Sequence, residues 1–275
     1  MKKNYRIENI IHIGANKTAT TSFQDYLFSK TKHIGYLGNK STQTKKILTE
    51  LKNLRMQDDF SYDSSYLKKK IKKIKKKKIN VFLYSDEDIL TSNNLSRCSR
   101  RLKSLLPSAK IVLIIRNQIS ALESWYFSHG KFLKMVPKKY FGKHVSFNDW
   151  LSYCFEFKQD FVTPLQSSPI KAMDYYEIAS IFSKNFGSKN INILIYEDLL
   201  YKKNETFIKW SKLLGINKSD IKHKISKKKF LRKSIKKNIK INQRNLKNIK
   251  MNFAKSNKLL ANKFSLNLQT YNYPL

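Results

Sequence analysis

Four short runs of apolar, mostly β-branched residues divide the sequence, at positions 10–13, 81–84, 111–115 and 191–195. Each run has the length of a buried strand. The segments between them include apolar residues at helical spacing, as at Leu67, Ile71 and Ile74. Strands that alternate with helices predict an α/β fold with an open parallel β-sheet flanked by helices.

Polar side chains follow the end of each run: Lys17, Glu87, Arg116 and Tyr196, in chain order. In open parallel sheets, ligands bind beyond the carboxyl ends of the strands. We therefore expect these four side chains to converge on one site at that edge of the sheet.

The segment 13–21 reads Ile-Gly-Ala-Asn-Lys-Thr-Ala-Thr-Thr and joins the first strand to a helix. Such a junction presents backbone N–H groups and the positive end of the helix dipole at one point, where a phosphate or sulfate can bind. Lys17 adds a fixed charge, and Thr20 and Thr21 add hydroxyl donors. An ordinary strand-to-helix turn with threonine capping is the alternative. The segment lacks the G-x-x-x-x-G-K-[ST] spacing of a Walker A loop, which disfavours a kinase or NTPase.

The charge balance is strongly basic, with 56 Lys and Arg against 19 Asp and Glu and a formal net charge of +37. This excess predicts an anionic partner: a nucleotide, a nucleic acid, an anionic polymer or a lipid surface. A solvated lysine coat is the alternative. The lysine runs at 68–78 and 222–240 leave open a non-enzymatic nucleic-acid-binding protein, which the absence of stacking aromatics within 68–78 disfavours. Hydrophobic residues at 41% and aromatics at 13% exclude a disordered basic tail.

The loop resembles the 5′-phosphosulfate-binding loop of the sulfotransferases that use 3′-phosphoadenylyl sulfate (PAPS), in which K-x-G-T-T follows the first strand. Arg116, with Ser124 eight residues later, resembles that family's 3′-phosphate motif. The spacing suits the role, because an arginine at a strand end and a serine two helical turns on can clamp one phosphate. The Tyr-Glu-Asp-Leu sequence at 196–199 and the segments 256–260 and 271–274 resemble later parts of bacterial sulfotransferase domains.

This resemblance covers nearly the whole chain and implies a P-loop NTPase-like sulfotransferase fold in a single domain, residues 1–275. The aromatic-rich, irregular stretch 130–175 is expected to form a lid or substrate-facing insertion, and the strongly basic residues 217–263 are expected to form a helical C-terminal region. PAPS is the implied sulfuryl donor, and no metal is implied. The residues implied to bind the nucleotide are Gly14, Ala15, Asn16, Lys17, Thr18, Ala19, Thr20, Thr21, Arg116, Ser124 and Tyr196.

Lys17 and Glu87 are the residues implied to act in catalysis. Lys17 would stabilise charge on the leaving oxygen, and a general base must take the proton of the acceptor. Glu87 matches the Ser-x-Glu pattern of bacterial relatives. Two alternatives stay open: the acids at 86–88 cap the next helix with Asp86 as N-cap, or His12 is the base.

The sequence departs from the family pattern in three places. Ala19 stands where glycine is usual, and Ser22 stands where many members have an adenine-stacking tryptophan. Tyr196 is therefore expected to contact the adenine. The basic stretch 227–232 is only loosely similar to the family's late basic loop. The first two departures keep a third possibility open, an inactive nucleotide-binding scaffold.

The family analogy makes a glycan the first expectation for the acceptor, with a lipid or small molecule as alternatives. The residues that would suit sugar rings, or would equally pack a small core, are Tyr126, Phe132, Tyr140, Phe147, Trp150 and Phe155. Packing is the favoured interpretation for most of them. Cys98 and Cys154 are too few for a disulfide framework, and no segment reaches membrane-spanning length, so we expect a cytoplasmic protein.

Overall fold

The computed structural model describes residues 7–38, 44–92, 94–128, 130–132, 142–157, 169–226 and 239–275. Within these ranges the strands are β1 Glu8–His12, β2 Ile34–Gly38, β3 Val81–Ser85, β4 Lys110–Ile115 and β5 Ile191–Ile195. They form one five-stranded, all-parallel sheet in the order β2-β3-β1-β4-β5. The predicted open parallel sheet is confirmed.

Helices connect the strands. The α-helices are α1 Thr20–Ser22, α2 Lys45–Met56, α3 Ser65–Lys75, α4 Leu95–Leu105, α5 Gln118–Ser128, α6 Phe147–Glu156, α7 Tyr175–Phe186, α8 Tyr196–Tyr201, α9 Lys203–Leu214, α10 Lys218–Ser226 and α11 Gln243–Phe264. A π-helix, Phe23–Phe28, continues α1. Short 3₁₀ helices lie at Glu87–Thr91, Gly130–Phe132, Lys171–Met173, Ser188–Asn190 and Gln269–Tyr271.

Alternate residues of the strands enter two separate apolar layers. Ile11 of β1 faces the layer that contains α2 to α7 and α11, whereas Ile10 faces the layer of the π-helix, α9 and α10. This two-sided burial explains why β3 and β4 are apolar at nearly every position. Because β1 lies between β3 and β4, the loops that leave these three strands are neighbours at the carboxyl edge of the sheet.

The sequence did not predict β2, because two of its five residues are glycines and glycine is disfavoured in strands. The structure explains both glycines. A Cβ at Gly35 would lie 2.5 Å from the side chain of Ile79, and one at Gly38 would lie 2.6 Å from the carbonyl oxygen of Ser85. Residues 30–66, to which no motif was assigned, therefore contain this edge strand and α2.

The lysine run at 68–78 lies mostly on α3. Leu67 and Ile71 are buried there, and Lys68, Lys69 and Lys72 are exposed. This part of the basic excess is therefore a solvated helix face.

Three of the aromatic residues singled out in the sequence pack together. Tyr126, Phe147 and Trp150 are buried, and their ring centroids lie 5.3–5.9 Å apart. Phe155 is partly buried against the same core. Tyr140 and the side chain of Phe132 lie outside the described residues. The four aromatics that can be located form core rather than a sugar platform.

No helix within the described ranges is both long enough and apolar enough to span a bilayer.

Candidate active site

The loop after β1 continues the sheet and then turns sharply. The amide of Ala15 donates to the carbonyl of Ile114 at 2.9 Å, so the pairing with β4 extends past the end of β1. The backbone next passes through two left-handed residues, Lys17 at φ 70° and Ala19 at φ 62°. Pairing with β4 fixes where the loop starts, and these two residues fix how it turns.

Gly14 has no room for a side chain. A Cβ at this position would lie 2.8 Å from Oγ1 of Thr20 and 2.9 Å from Nε2 of His12. The inside of the turn is thus filled by neighbouring side chains, and the backbone of Gly14 passes directly over them.

The three threonines of the loop have different environments. Thr18 is fully buried, and its hydroxyl donates to the carbonyl of Ala15 at 2.6 Å and lies 3.3 Å from the hydroxyl of Thr20. Thr20 is 4% exposed, whereas Thr21 is exposed. Thr18 closes the turn, Thr20 lies inside it, and Thr21 faces solvent.

The left-handed backbone at Ala19 explains why a glycine would suit this position. An L-residue in this conformation costs about 1–2 kcal/mol, which glycine avoids. The carbonyl of Ala19 accepts hydrogen bonds from the amides of Ser22 at 2.9 Å and Phe23 at 3.2 Å. Ala19 therefore holds the conformation that starts the helix, at a cost in strain.

Arg116, just beyond β4, joins the loop to α5. Its Nη1 donates to the carbonyl of Lys17 at 2.8 Å, and its Nε donates to the hydroxyl of Ser120 at 2.9 Å. Ser124 lies one helical turn beyond Ser120 and is partly buried. The guanidinium group of Arg116 thus joins the loop after β1 to the start of α5, the two segments in which the sequence predicted anion binding.

Tyr196 packs against the same guanidinium. The central carbon of that group lies 4.7 Å from the centroid of the Tyr196 ring, within the range of a cation–π contact. Burial raises the pKa of the Tyr196 hydroxyl, so this group stays neutral at physiological pH. Arg116 covers one face of the ring, which leaves only the other face and the edge for a further stacking partner.

The acids that follow β3 divide into two roles. Asp86 is fully buried, forms an ion pair with Arg55, accepts from the hydroxyl of Tyr84 at 3.1 Å and caps the 3₁₀ helix through the amide of Asp88. Burial raises the pKa of Asp86 to about 6 despite the guanidinium beside it. Asp86 is therefore the N-cap, as the alternative interpretation proposed, and this leaves the neighbouring Glu87 for another role.

Glu87 is partly buried, and its Oε2 accepts from Nε2 of Gln24 at 2.9 Å. Gln24 belongs to the π-helix that directly continues the loop and α1. Gln24 therefore links the carboxylate of Glu87, which follows β3, to the helical segment that follows the loop after β1.

No family model matches the sequence, and no curated protein matches it. Among solved structures, a sulfotransferase from Alicyclobacillus acidocaldarius matches with a TM-score of 0.63 at 13% identity, over 97% of this chain and 99% of that chain. A mouse sulfotransferase complexed with PAP matches over 98% of this chain and 86% of that chain at 15% identity. Its TM-score of 0.47 is too low to add to the fold assignment. The chain has the sulfotransferase fold.

The two acids of the Tyr-Glu-Asp-Leu segment have structural roles in this fold. Glu197 is buried and accepts from the amide of Asn117 at 2.9 Å and from the hydroxyl of Tyr273 at 3.0 Å. Burial raises the pKa of Glu197. Asp198 accepts from the hydroxyl of Tyr271 at 2.6 Å. The C-terminal segment is thus bonded to the elements that hold Arg116.

Asn117 completes that connection. Its side-chain amide donates to the carbonyls of Tyr271 at 3.0 Å and Asn272 at 2.7 Å. The segment 271–274, which the sequence resemblance singled out, therefore packs against the end of β4 beside Arg116.

His12 is a buried structural residue of the sulfotransferase fold. It is 0% exposed, its Nδ1 lies 2.8 Å from the hydroxyl of Ser85, and its ring packs edge-on against Phe28 and Trp210. Burial lowers the pKa of His12 to about 3, so the ring is neutral at physiological pH. These contacts favour the packed interpretation of His12 over its use as the base.

Within the described ranges, no group of three or more His, Cys, Asp and Glu side chains could hold a metal ion. The basic stretch 227–232 lies outside the described residues, and so does much of the segment 130–175.

Sequence reasoning missed Ser120 and Gln24. Ser120 lies four residues after Arg116, a helical spacing that could have indicated the contact. Gln24 reaches Ser85 and Glu87, which lie 61 and 63 residues later, so no local pattern could have indicated it.

Proposed function

We propose that this chain is a PAPS-dependent sulfotransferase that moves a sulfuryl group to an acceptor hydroxyl by in-line displacement. The observation that carries the proposal is the hydrogen bond from Arg116 to the carbonyl of Lys17, which brings two anion-binding motifs together. The sulfotransferase fold around them supports it. PAPS is an anion with phosphate at two places, and two adjacent cationic motifs match that charge pattern.

The residues of the loop suit the 5′-phosphosulfate. The left-handed residues Lys17 and Ala19 turn the loop into the start of α1, and the start of a helix is a favourable place for an anion. The loop residues that we propose to form this binding site are Gly14, Ala15, Asn16, Lys17, Thr18, Ala19, Thr20 and Thr21. The hydroxyl and the amide of Thr18 both donate to the carbonyl of Ala15, so we propose that Thr18 shapes the loop around the anion.

We assign the 3′-phosphate to Arg116 and Ser124, with Ser120 as the hydroxyl that orients the guanidinium. Adenine is assigned to Tyr196, through the part of its ring that Arg116 leaves uncovered. The binding energy of these contacts serves to orient the donor, because none of them reaches the atoms that react.

PAPS, when bound, supplies the sulfuryl group and a phosphate leaving group. Lys17 neutralises the charge that develops on the released phosphate oxygen. Glu87 takes the proton of the acceptor hydroxyl as the oxygen of that hydroxyl bonds to sulfur. Asp86 is a poor choice for this role, since it is fully buried and paired with Arg55. The neutral, packed His12 is likewise unsuited to it.

We propose a glycan hydroxyl as the acceptor, on the family resemblance and not on the aromatic residues, because Tyr126, Phe147 and Trp150 are buried. The net charge of +37 would attract PAPS and an acidic acceptor alike. We also propose a single domain and a cytoplasmic location. The helices α6 and α11 share one apolar core with the sheet, and Cys98 and Cys154 are buried free thiols, which fits a reducing compartment.

Nucleotide binding is the first test. Saturating PAP should raise the melting temperature of the wild type, by the equivalent of about 2.7 kcal/mol at a hundred times its Kd. Lys17→Ala should lose this shift. Lys212→Ala removes an exposed lysine of α9 and should keep it. A wild type that saturating PAP leaves unshifted would overturn the proposal.

Sulfuryl transfer is the second test. Wild-type protein should transfer ³⁵S from labelled PAPS to members of a broad panel of glycans and phenols. Glu87→Gln should keep the PAP shift and lose about 10²–10⁴-fold in turnover, the usual size of a general-base contribution. A protein that binds PAP but transfers to no acceptor is the inactive scaffold.

A further inference from the structure

Gln24 is a buried glutamine whose side-chain nitrogen has two acceptors. Its Nε2 donates to Oε2 of Glu87 at 2.9 Å and to the hydroxyl oxygen of Ser85 at 2.9 Å, and the residue is 0% exposed. A glutamine amide nitrogen carries two hydrogens, so both bonds can form together. Because this nitrogen only donates, it binds the carboxylate of Glu87 as an acceptor.

The backbone around Gln24 is a π-helix, a geometry that is rare and often found at functional sites. The amide of Ser29 donates to the carbonyl of Gln24 at 3.1 Å, five residues back. Phe23 and Phe28 anchor this turn in the core, and the ring of Phe23 lies 4.9 Å from that of Trp210. The side chain of Gln24 is therefore presented from a tightly packed element.

The contact extends beyond the carboxylate. The hydroxyl of Ser85 also lies 2.8 Å from Nδ1 of His12, and both residues are fully buried. Nε2 of His12 points at Gly14, where a Cβ would approach it to 2.9 Å. Hydrogen bonds between side chains thus link Glu87 through Gln24 and Ser85 to His12, whose ring lies beside the first glycine of the loop.

We propose that Gln24 is a positioning residue that fixes the carboxylate of Glu87 relative to the anion-binding loop. This inference rests on the proposed function, because it assigns Gln24 to a base that the proposed function names. Gln24 follows the loop in one continuous helical segment and holds the carboxylate directly, so the loop and the base are set by the same element. Displacement of a reacting group by about 1 Å can cost on the order of 10²-fold in rate.

A double-mutant cycle tests this role. Gln24→Met keeps the length of the side chain and removes both donated hydrogen bonds. We expect it to lower kcat by about 10–100-fold, with PAP affinity within about twofold of the wild type. In a Glu87→Gln background, Gln24→Met should cause no further loss, because the carboxylate that Gln24 holds is already absent. The control is Asn185→Ala, which removes an amide–hydroxyl bond of 2.9 Å between α7 and α4 and should leave kcat unchanged.

A spectroscopic measurement examines the contact without any acceptor. In protein labelled with carbon-13 at the glutamate carboxyls, the resonance that Glu87→Gln removes belongs to Glu87. Gln24→Met should shift that resonance, and Asn185→Ala should not. If Gln24→Met does not fold, Gln24→Glu takes its place. When the introduced carboxyl group is ionised it cannot donate a hydrogen bond to the carboxylate of Glu87, so this variant should shift the same resonance.

The outcomes separate the two proposals. Equal losses from Gln24→Met in both backgrounds, unchanged kcat, or an unmoved Glu87 resonance would each overturn the role of Gln24. Full turnover in Glu87→Gln would overturn it together with the role of Glu87. If the wild type transfers to no acceptor, the proposed function fails, and the Glu87 resonance still decides whether Gln24 holds the carboxylate.

Discussion

Nη1 of Arg116 donates a hydrogen bond to the carbonyl oxygen of Lys17 at 2.8 Å, across 99 positions of sequence. The left-handed backbone of Lys17 sets the direction of that carbonyl. The same guanidinium binds the hydroxyl of Ser120 and stacks on Tyr196. One arginine therefore holds the loop in shape, and we propose that it also binds the nucleotide.

Arg116→Lys should separate charge from geometry. Lysine keeps the positive charge but loses the planar fork that serves Lys17 and Ser120 together. We expect the Kd for PAP to rise by about 10–100-fold, measured by isothermal titration calorimetry, since one or two charge-assisted hydrogen bonds are lost. Arg100→Lys is the control, because Arg100 is more than half exposed in its ion pair with Asp59. Unchanged affinity in Arg116→Lys would contradict the assignment.

Ala19→Gly should stabilise the protein. At φ 62° the substitution relieves left-handed strain, and part of the gain is offset by the greater freedom of glycine in the unfolded chain. We expect the free energy of unfolding to rise by about 0.5–1 kcal/mol in urea denaturation, with PAP binding retained. Ala121→Gly, in the buried face of α5, should have the opposite sign. A loss of stability in Ala19→Gly would contradict the strained geometry.

His12 should make the protein less stable in acid. Its pKa in the fold, about 3, lies below the ordinary value of 6.5, so below pH 6.5 the unfolded chain binds a proton that the folded chain does not. The contribution of neutral His12 to the free energy of unfolding is lost as pH falls from 6.5 towards 3, by about 1.4 kcal/mol per pH unit. His12→Asn should remove this slope, measured by urea denaturation between pH 6.5 and 4.5.

The difference between the stability curves of wild type and His12→Asn isolates the effect of His12 on the pH dependence of stability. Asp86, whose pKa is raised to about 6, titrates in the opposite sense in this range, but it is present in both proteins and cancels in the difference. His33→Asn, at an exposed position, is the matched control and should keep the wild-type slope. Parallel stability curves for wild type and His12→Asn would show that His12 is not buried as a neutral group.

Tyr273→Phe should test the link between the C-terminal segment and Arg116. The change removes the donor to the buried carboxylate of Glu197, which also accepts from the amide of Asn117. We expect a loss of about 1–3 kcal/mol in unfolding free energy, because a buried acceptor loses a partner, and a several-fold weaker PAP affinity. Tyr201→Phe, at a residue 75% exposed, should change neither quantity. If PAP affinity stays the same in Tyr273→Phe, the segment supports only the fold.

Local sequence pattern was sufficient to predict the strands whose own residues are typical of a buried strand. The runs that became β1, β4 and β5 are rich in β-branched residues, and the run that became β3 is apolar throughout positions 81–84. Pattern failed for β2, where glycines are required by contacts with Ile79 and Ser85 that no local window contains.

Contacts between distant residues account for the other omissions. Gln24 and Tyr273 act on carboxylates 63 and 76 positions away, so their roles depend on the tertiary fold alone. The sequence predicted Thr20 and Thr21 as hydroxyl donors without distinguishing them, and in the structure Thr20 is buried and Thr21 is exposed. Residue type alone did not show which of the residues at the irregular start of α1 face the core and which face solvent.

The position of β1 in the sheet has a consequence for how the chain acquires its site during synthesis. The loop that follows β1 is synthesised before the partners that shape it: β4, then Arg116, and finally the carbonyls of Tyr271 and Asn272, which are 154 and 155 positions from Asn117. Contacts of such long sequence separation slow folding. A nascent chain that stops before residue 271 would lack the last of these supports, so the loop should reach its final shape only after residues 271 and 272 have been synthesised.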